Sequence, residues 1–174
     1  FVEAGRMSLE QLAKSADETA LAEAVAQLAA ADTLHVVGLR RAYPVASYLT
    51  YVFEKMQVPA MLHDGAGKLD HRHALRAGDA CIAITFAPYS DETLALAQDA
   101  QMRGLAVIGI TDRLTSPLAR HCTTVLTVPE VDFGAFRSLS ATLALSLALA
   151  GAVGSARGGR NRFARPPAWH KKYK

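Results

Sequence analysis

Two uninterrupted apolar runs, Cys81-Ile82-Ala83-Ile84 and Val107-Ile108-Gly109-Ile110, constrain this chain more than any other feature. A strand with one wet face alternates apolar and polar residues. A run without alternation has to be covered on both faces, the situation of a parallel sheet held between helices. Around these runs the hydrophobic period changes repeatedly. Strand candidates at Thr33–Val37, Ala60–Leu62, Ala80–Ile84, Ala106–Ile110 and Thr124–Val128 alternate with helical patterns at Pro44–Met56, Gly67–Leu75, Asp91–Arg103, Pro117–His121 and Phe136–Val153. Ahead of them, Ser8–Ala31 carries Leu9, Leu12, Leu21, Val25 and Leu28 in an Ala-rich background, with Asp17 placed to cap a second helix. The expectation is a five-stranded, doubly wound α/β domain, whose ligand would lie beyond the carboxyl ends of the strands where their order reverses.

Composition excludes several other classes. With 174 residues, 51% hydrophobic and 20% charged, the chain is neither disordered nor too small for one sizeable core. Its two cysteines, Cys81 and Cys122, sit in apolar runs and read as reduced, buried thiols rather than a disulfide framework. Leu139–Val153, the longest uncharged apolar stretch, has 15 residues, fewer than the roughly 18–20 that cross a bilayer. A cytoplasmic protein without a membrane segment is therefore expected. The formal charge of +3 is unevenly placed: residues 157–174 hold seven cations and no acid, which leaves 12 basic against 16 acidic residues in the body, a formal −4. A mildly acidic body speaks against a nucleic-acid surface on the globular part. The sequence divides into a helical segment at 1–31, an α/β domain at 32–156 and a basic flexible tail at 157–174. It opens on Phe1 rather than Met, as part of a longer chain would.

Three loops follow strands at the expected ligand end. In Gly38-Leu39-Arg40-Arg41-Ala42-Tyr43-Pro44, a glycine and two adjacent guanidinium groups lead into a helix, a combination suited to phosphate or carboxylate. It is not a dinucleotide fingerprint, because Arg40 and Tyr43 stand where the second and third glycines would be. In Thr85-Phe86-Ala87-Pro88-Tyr89-Ser90, Ser90 is a natural N-cap, with Asp91 and Glu92 complementing the helix dipole. In Thr111-Asp112-Arg113-Leu114-Thr115-Ser116-Pro117, Ser116 reads as N-cap and Pro117 as the first helical residue.

Together, HVVGLRRAYPVA, GDACIAITFAPYSDETLALAQDAQMRG, VIGITDRLTSPLA and FRSLSATLAL resemble a sugar isomerase (SIS) domain. The likeness is to the one that forms the C-terminal effector-binding half of RpiR-type transcriptional regulators, and it covers about Ala31–Val153. The resemblance implies a three-layer α/β/α sandwich with the flavodoxin-like strand order 2-1-3-4-5. It also implies a phosphosugar held by a G-x-G-x-S loop and an S-x-S-G-x-T loop, which places Gly38, Arg40, Arg41, Thr85 and Ser90 as ligand-binding residues here. Arg40 and Ala42 replace the second Gly and the Ser of the first motif, while Ala87 and Pro88 replace the second Ser and the Gly of the other. Either the site takes an anion held more by guanidinium than by hydroxyls, or the ordinary phosphosugar pocket has decayed.

An isomerase would need a general base. The available groups, Glu54, His63, Asp64, His71, His73, Glu130 and Asp132, lie in no spacing that selects one. Asp91 and Glu92 are explained by the helix dipole, and Asp112 by its turn. Asp70, His71 and His73 with His63 and Asp64 form no closed metal set, and Ser138 and Ser140 have no partner base. The expectation is a non-catalytic effector domain without cofactor or metal, binding a phosphosugar or similar anion. It would dimerise because helices such as Ser138–Val153 expose apolar surface, and it would meet DNA only through an N-terminal helix-turn-helix domain outside this chain. A sugar-phosphate isomerase and a dimerisation-only SIS domain are the alternatives.

Overall fold

In the computed structural model, which describes residues 1–66, 72–133 and 136–158, the apolar runs are the centre of a five-stranded parallel sheet. The strands are β1 (Leu34–Val37), β2 (Ala60–His63), β3 (Ala80–Ile84), β4 (Ala106–Thr111) and β5 (Thr124–Thr127). Their order is β2-β1-β3-β4-β5, so the chain turns outward in both directions from the β1/β3 pair. In register, Val37 lies beside His63 on one side and Ala83 on the other.

Every residue of β1 and β3 is buried, as runs covered on both faces require. Alternate side chains feed two cores. Leu34, Val36, Ile82, Ile84, Ile108 and Ile110 pack under α2 (Glu18–Ala30), α3 (Tyr43–Lys55) and α5 (Ser140–Ala156). Val37, Cys81, Ala83 and Val107 pack under α4 (Asp91–Met102). Both cysteines are unpaired, and burial pushes each thiol up to about 12, so they behave as small apolar side chains.

Local capping accounts for most helix boundaries. The Ser8–Ala31 pattern is two helices, α1 (Val2–Ser15) and α2, because Asp17 Oδ1 accepts the Ala20 N–H at 2.9 Å and starts a new helix. Pro44 falls in the first turn of α3.

Three expectations need correction. The helix expected from Phe136 begins at Ser140, since Phe136–Arg137 (β7) pairs antiparallel with Asp132–Phe133 (β6). Two-residue strands are too short to carry a period of their own. The helix expected over Pro117–His121 is a single 3-10 turn at Ala119–His121, and the Ser116 hydroxyl caps nothing: it is buried without a hydrogen-bond partner among the described residues. Of Gly67–Leu75, residues 72–74 form another 3-10 turn, and 67–71 lie outside the described residues.

The apolar surface of α5 is also largely spoken for. α1, α2 and α3 all pack on it, burying Leu145, Leu149 and Val153, and Leu147 is its large exposed side chain. A helix apolar all round is a buried helix. At Gly154 a Cβ would stand 2.6 Å from Met56 Sδ, so glycine is what lets α5 approach the end of α3. Arg157, counted by sequence with the basic tail, donates to the Leu28 carbonyl at 2.8 Å and to that of Ala31, tying α5 to the end of α2. Among the described residues no helix is long and apolar enough to cross a membrane. The tail from residue 159 lies outside them.

Candidate functional site

The turn of chain direction at β1/β3 places the first two loops side by side. They enclose a crevice of about 250 Å³, walled by Leu39–Ala42 from one loop and by Thr85, Phe86, Pro88 and Ser90 from the other. Four of the five sequence-selected residues, Arg40, Arg41, Thr85 and Ser90, therefore meet in one place. Gly38 lies behind them. A Cβ there would come within 3.2 Å of Ala46, Ala42 and Ile84 atoms, so this glycine lets β1 pack closely on α3 and β3 and does not itself line the crevice.

Arg40 holds φ +56, the left-handed conformation that costs a side-chain-bearing residue energy and glycine almost none. It is the position where the SIS pattern has its second glycine. The backbone of the pattern is thus kept while a guanidinium replaces the hydrogen, and strain of this kind persists where the surrounding structure and function demand it. Arg41, its neighbour, donates to the Ala87 carbonyl, which anchors it across the crevice to the second loop.

The hydroxyls are already engaged. Thr85 Oγ1 accepts the Ser90 N–H at 3.0 Å, closing the second loop on itself. Ser90 Oγ accepts the Thr93 N–H at 3.3 Å, the expected cap of α4, and donates its own proton to Glu92 Oε2 at 2.8 Å. Glu92 also reaches Arg40, Nη2 to Oε2 3.8 Å. Its own backbone N–H, the Ser90 hydroxyl and the Arg40 charge hold its carboxyl below the ordinary range, against a smaller opposing effect of burial. Sequence reasoning assigned Glu92 to the helix dipole and missed this link, for which the sequence carries no signal.

The floor and the far side are structural. The Arg137 guanidinium stacks on the Phe86 ring, 4.7 Å from its centroid. Tyr89 donates to Asp112 Oδ1 at 2.9 Å, joining the second loop to the third. Burial pushes the Asp112 carboxyl up, but the bonds from Tyr89, its own N–H and Thr111, with the Arg113 charge, outweigh it and leave the group below its usual value. Asp112 is thus a loop clasp rather than only a turn former.

The other candidates are scattered. Glu54 is exposed on α3, and Asp64 closes a turn on the Ala66 N–H at 2.8 Å. Glu130 Oε1 accepts both the Thr142 N–H and its hydroxyl at 2.7 Å, binding the first turn of α5. Asp132 is exposed, and Ser138 donates to Ser140 at 3.1 Å. His73 is exposed, while Asp70 and His71 lie outside the described residues. Among the described residues no three His, Cys, Asp or Glu side chains gather as a metal set.

His63 belongs to a buried chain that sequence reading did not find. Its Nε2 lies 2.9 Å from His35 Nδ1, and His35 Nε2 lies 3.0 Å from Asp79 Oδ2. All three residues are less than a tenth exposed. The carboxylate only accepts, so His35 carries its proton on Nε2 and offers Nδ1 as the acceptor for a His63 Nε2–H. Asp79 also accepts the backbone N–H of Thr33 at 3.2 Å and of Arg76 at 2.9 Å. This network holds the β2/β1/β3 edge from its amino end upward. A histidine inside the otherwise apolar β1 was the one hint available.

The fold and this crevice define an α/β domain that binds a small anion at the switch point of a parallel sheet. The SIS domain family profile matches residues 27–152, and the chain belongs to that family. Among solved structures it is similar to the sugar isomerase domain of an RpiR transcription factor from Sphaerobacter thermophilus, with a TM-score of 0.82 and 23% identity over 88% of this chain and 87% of that one. It is also similar to the Vibrio vulnificus NanR protein complexed with ManNAc-6P, at TM-score 0.76 and 23% identity, covering 90% of this chain but 61% of the longer NanR chain. A protein of E. coli CFT073 in complex with a phosphosugar aligns at TM-score 0.75 and 20% identity, over 92% of this chain and 89% of that one. No curated protein sequence matches the chain.

Proposed function

We propose that this chain is the effector-binding domain of an RpiR-type transcriptional regulator, in which a phosphosugar or a closely related anionic sugar derivative occupies the crevice between the first two loops. The observation that carries this reading is Arg40, held in a left-handed backbone at the pattern's glycine position with its guanidinium on the crevice beside Arg41. Phosphosugars bound to two proteins of the same fold give it chemical support. Ligand capture is by guanidinium, because the retained hydroxyls of Thr85 and Ser90 already serve the loop. Residues 32–156 form the binding unit, residues 1–31 link it to an N-terminal helix-turn-helix domain that alone touches DNA, and the regulator works in the cytoplasm. A panel of sugar phosphates should raise the melting temperature of the purified chain, since a ligand that binds only the folded state stabilises it. Replacing Arg40 and Arg41 together by Ala should abolish that rise. A full ligand response in the double variant would overturn the assignment.

Effector binding reaches DNA through the arrangement of a homodimer in this reading. The exposed apolar surface available for it is on α3, where Tyr48 and Tyr51 stack with ring centroids 6.0 Å apart, and at the start of α1, where Phe1 and Val2 are exposed. Light scattering at micromolar concentration is expected to give twice the chain mass; the mass of a single chain would refute dimerisation.

A further inference from the structure

The crevice already contains an anion of its own. Asp91 and Glu92 both sit in the first turn of α4, and either one complements the helix dipole. Glu92 does something more specific: its Oε2 takes the single hydroxyl proton of Ser90 at 2.8 Å and faces Arg40 Nη2 at 3.8 Å. Ser90 and Arg40 both line the crevice. Those two donors are the ones an incoming phosphate oxygen would use from this side.

We propose that Glu92 is an intramolecular competitor for the anion site, a specificity-determining residue that a ligand has to displace from Arg40 and Ser90 before it can bind. The proposal rests on the crevice being the anion site. The contact is weak enough to be displaced: both side chains are more than half exposed and the separation is long, and such pairs shift an equilibrium by no more than about fivefold. It also discriminates. A singly charged carboxylate ligand would only exchange one carboxylate for another on Arg40, whereas a phosphate near neutral pH brings more charge and more acceptor oxygens to the Arg40/Arg41 pair. Displacement of Glu92 therefore favours phosphorylated sugars over sugar acids.

Calorimetric titration of the whole chain with inorganic phosphate and with glucose 6-phosphate tests this. Glu92→Gln removes the charge while leaving an acceptor for Ser90, and should tighten binding about three- to tenfold, the exposed-pair gain plus relief of repulsion. Glu92→Ala also releases the Ser90 proton and should tighten it further. Asp91→Asn removes the same charge from the same helix end and should change affinity less than twofold. Equal gains in the Asp91 and Glu92 variants would mean general electrostatics and would overturn the competitor role. So would unchanged affinity in Glu92→Gln when the wild type binds and the Arg40/Arg41 double variant does not, which leaves the binding site itself standing. No saturable binding in any variant, Glu92→Ala included, would overturn both.

Discussion

Arg40→Gly is expected to make the protein more stable and to stop it binding its anion. A non-glycine residue in the left-handed region costs roughly 1–2 kcal/mol, of which glycine's greater freedom in the unfolded chain takes back part, so the net gain should be about 0.5–1 kcal/mol. For a chain of this size that is a rise of about 1–4 °C in melting temperature. The same change removes a guanidinium able to make charge-assisted bonds to phosphate, worth about 1.5–3 kcal/mol each, so affinity should fall by roughly 10- to 100-fold. Arg40→Ala separates the two effects. It loses the same guanidinium but keeps a Cβ at φ +56, so it should lose affinity without the gain in stability. Parallel melting curves and calorimetric titrations with a sugar phosphate decide the matter. A glycine variant that melts lower than wild type, or that binds as well, would show that Arg40 is not a strained ligand residue.

Asp79→Ala is expected to be the most destabilising single change in the β1/β2/β3 edge. It strands the Nε2–H of the fully buried His35 and removes the acceptor used by the Thr33 and Arg76 backbone N–H groups. Breaking a buried pair from one side costs about 3–5 kcal/mol, or a fall of roughly 6–20 °C in melting temperature. Asp79→Asn should cost less, because it keeps one acceptor and can donate to His35 through its amide. That donation would reverse the His35 tautomer and with it the direction of the His35–His63 bond, visible as exchanged ring-nitrogen shifts in NMR of the two histidines. Wild-type stability in Asp79→Ala would mean that water or a rearranged turn replaces the carboxylate.

Neither residue could have been ranked this way before folding placed the partners. Asp79, His35 and His63 are far apart in sequence and join only because β1 lies between β2 and β3. The Arg40–Glu92 contact likewise needs the first and second loops to meet at the sheet's switch point. The Ser116 reading failed for the same reason: the rules of capping apply to a helix, and the chain after Pro117 makes only a brief turn. Tertiary packing also covered α5, whose apolar sequence had pointed outward to a partner.

By itself the sequence determined the sheet, the helices and the two loops of the crevice, because these follow from short-range physics. Unbroken apolar runs require cover on both faces, Asp17 and Ser90 supply caps to amides three residues away, and glycine at position 38 permits close packing. Only the tertiary structure decided which side chains work together. The left-handed turn at Arg40, the carboxylate of Glu92 beside it and the buried Asp79–His35–His63 chain depend on contacts between segments 28 to 52 residues apart or on backbone conformation imposed by packing. Residue type and local spacing carry no trace of such pairings, since their energy exists only once the backbone has brought the groups within reach.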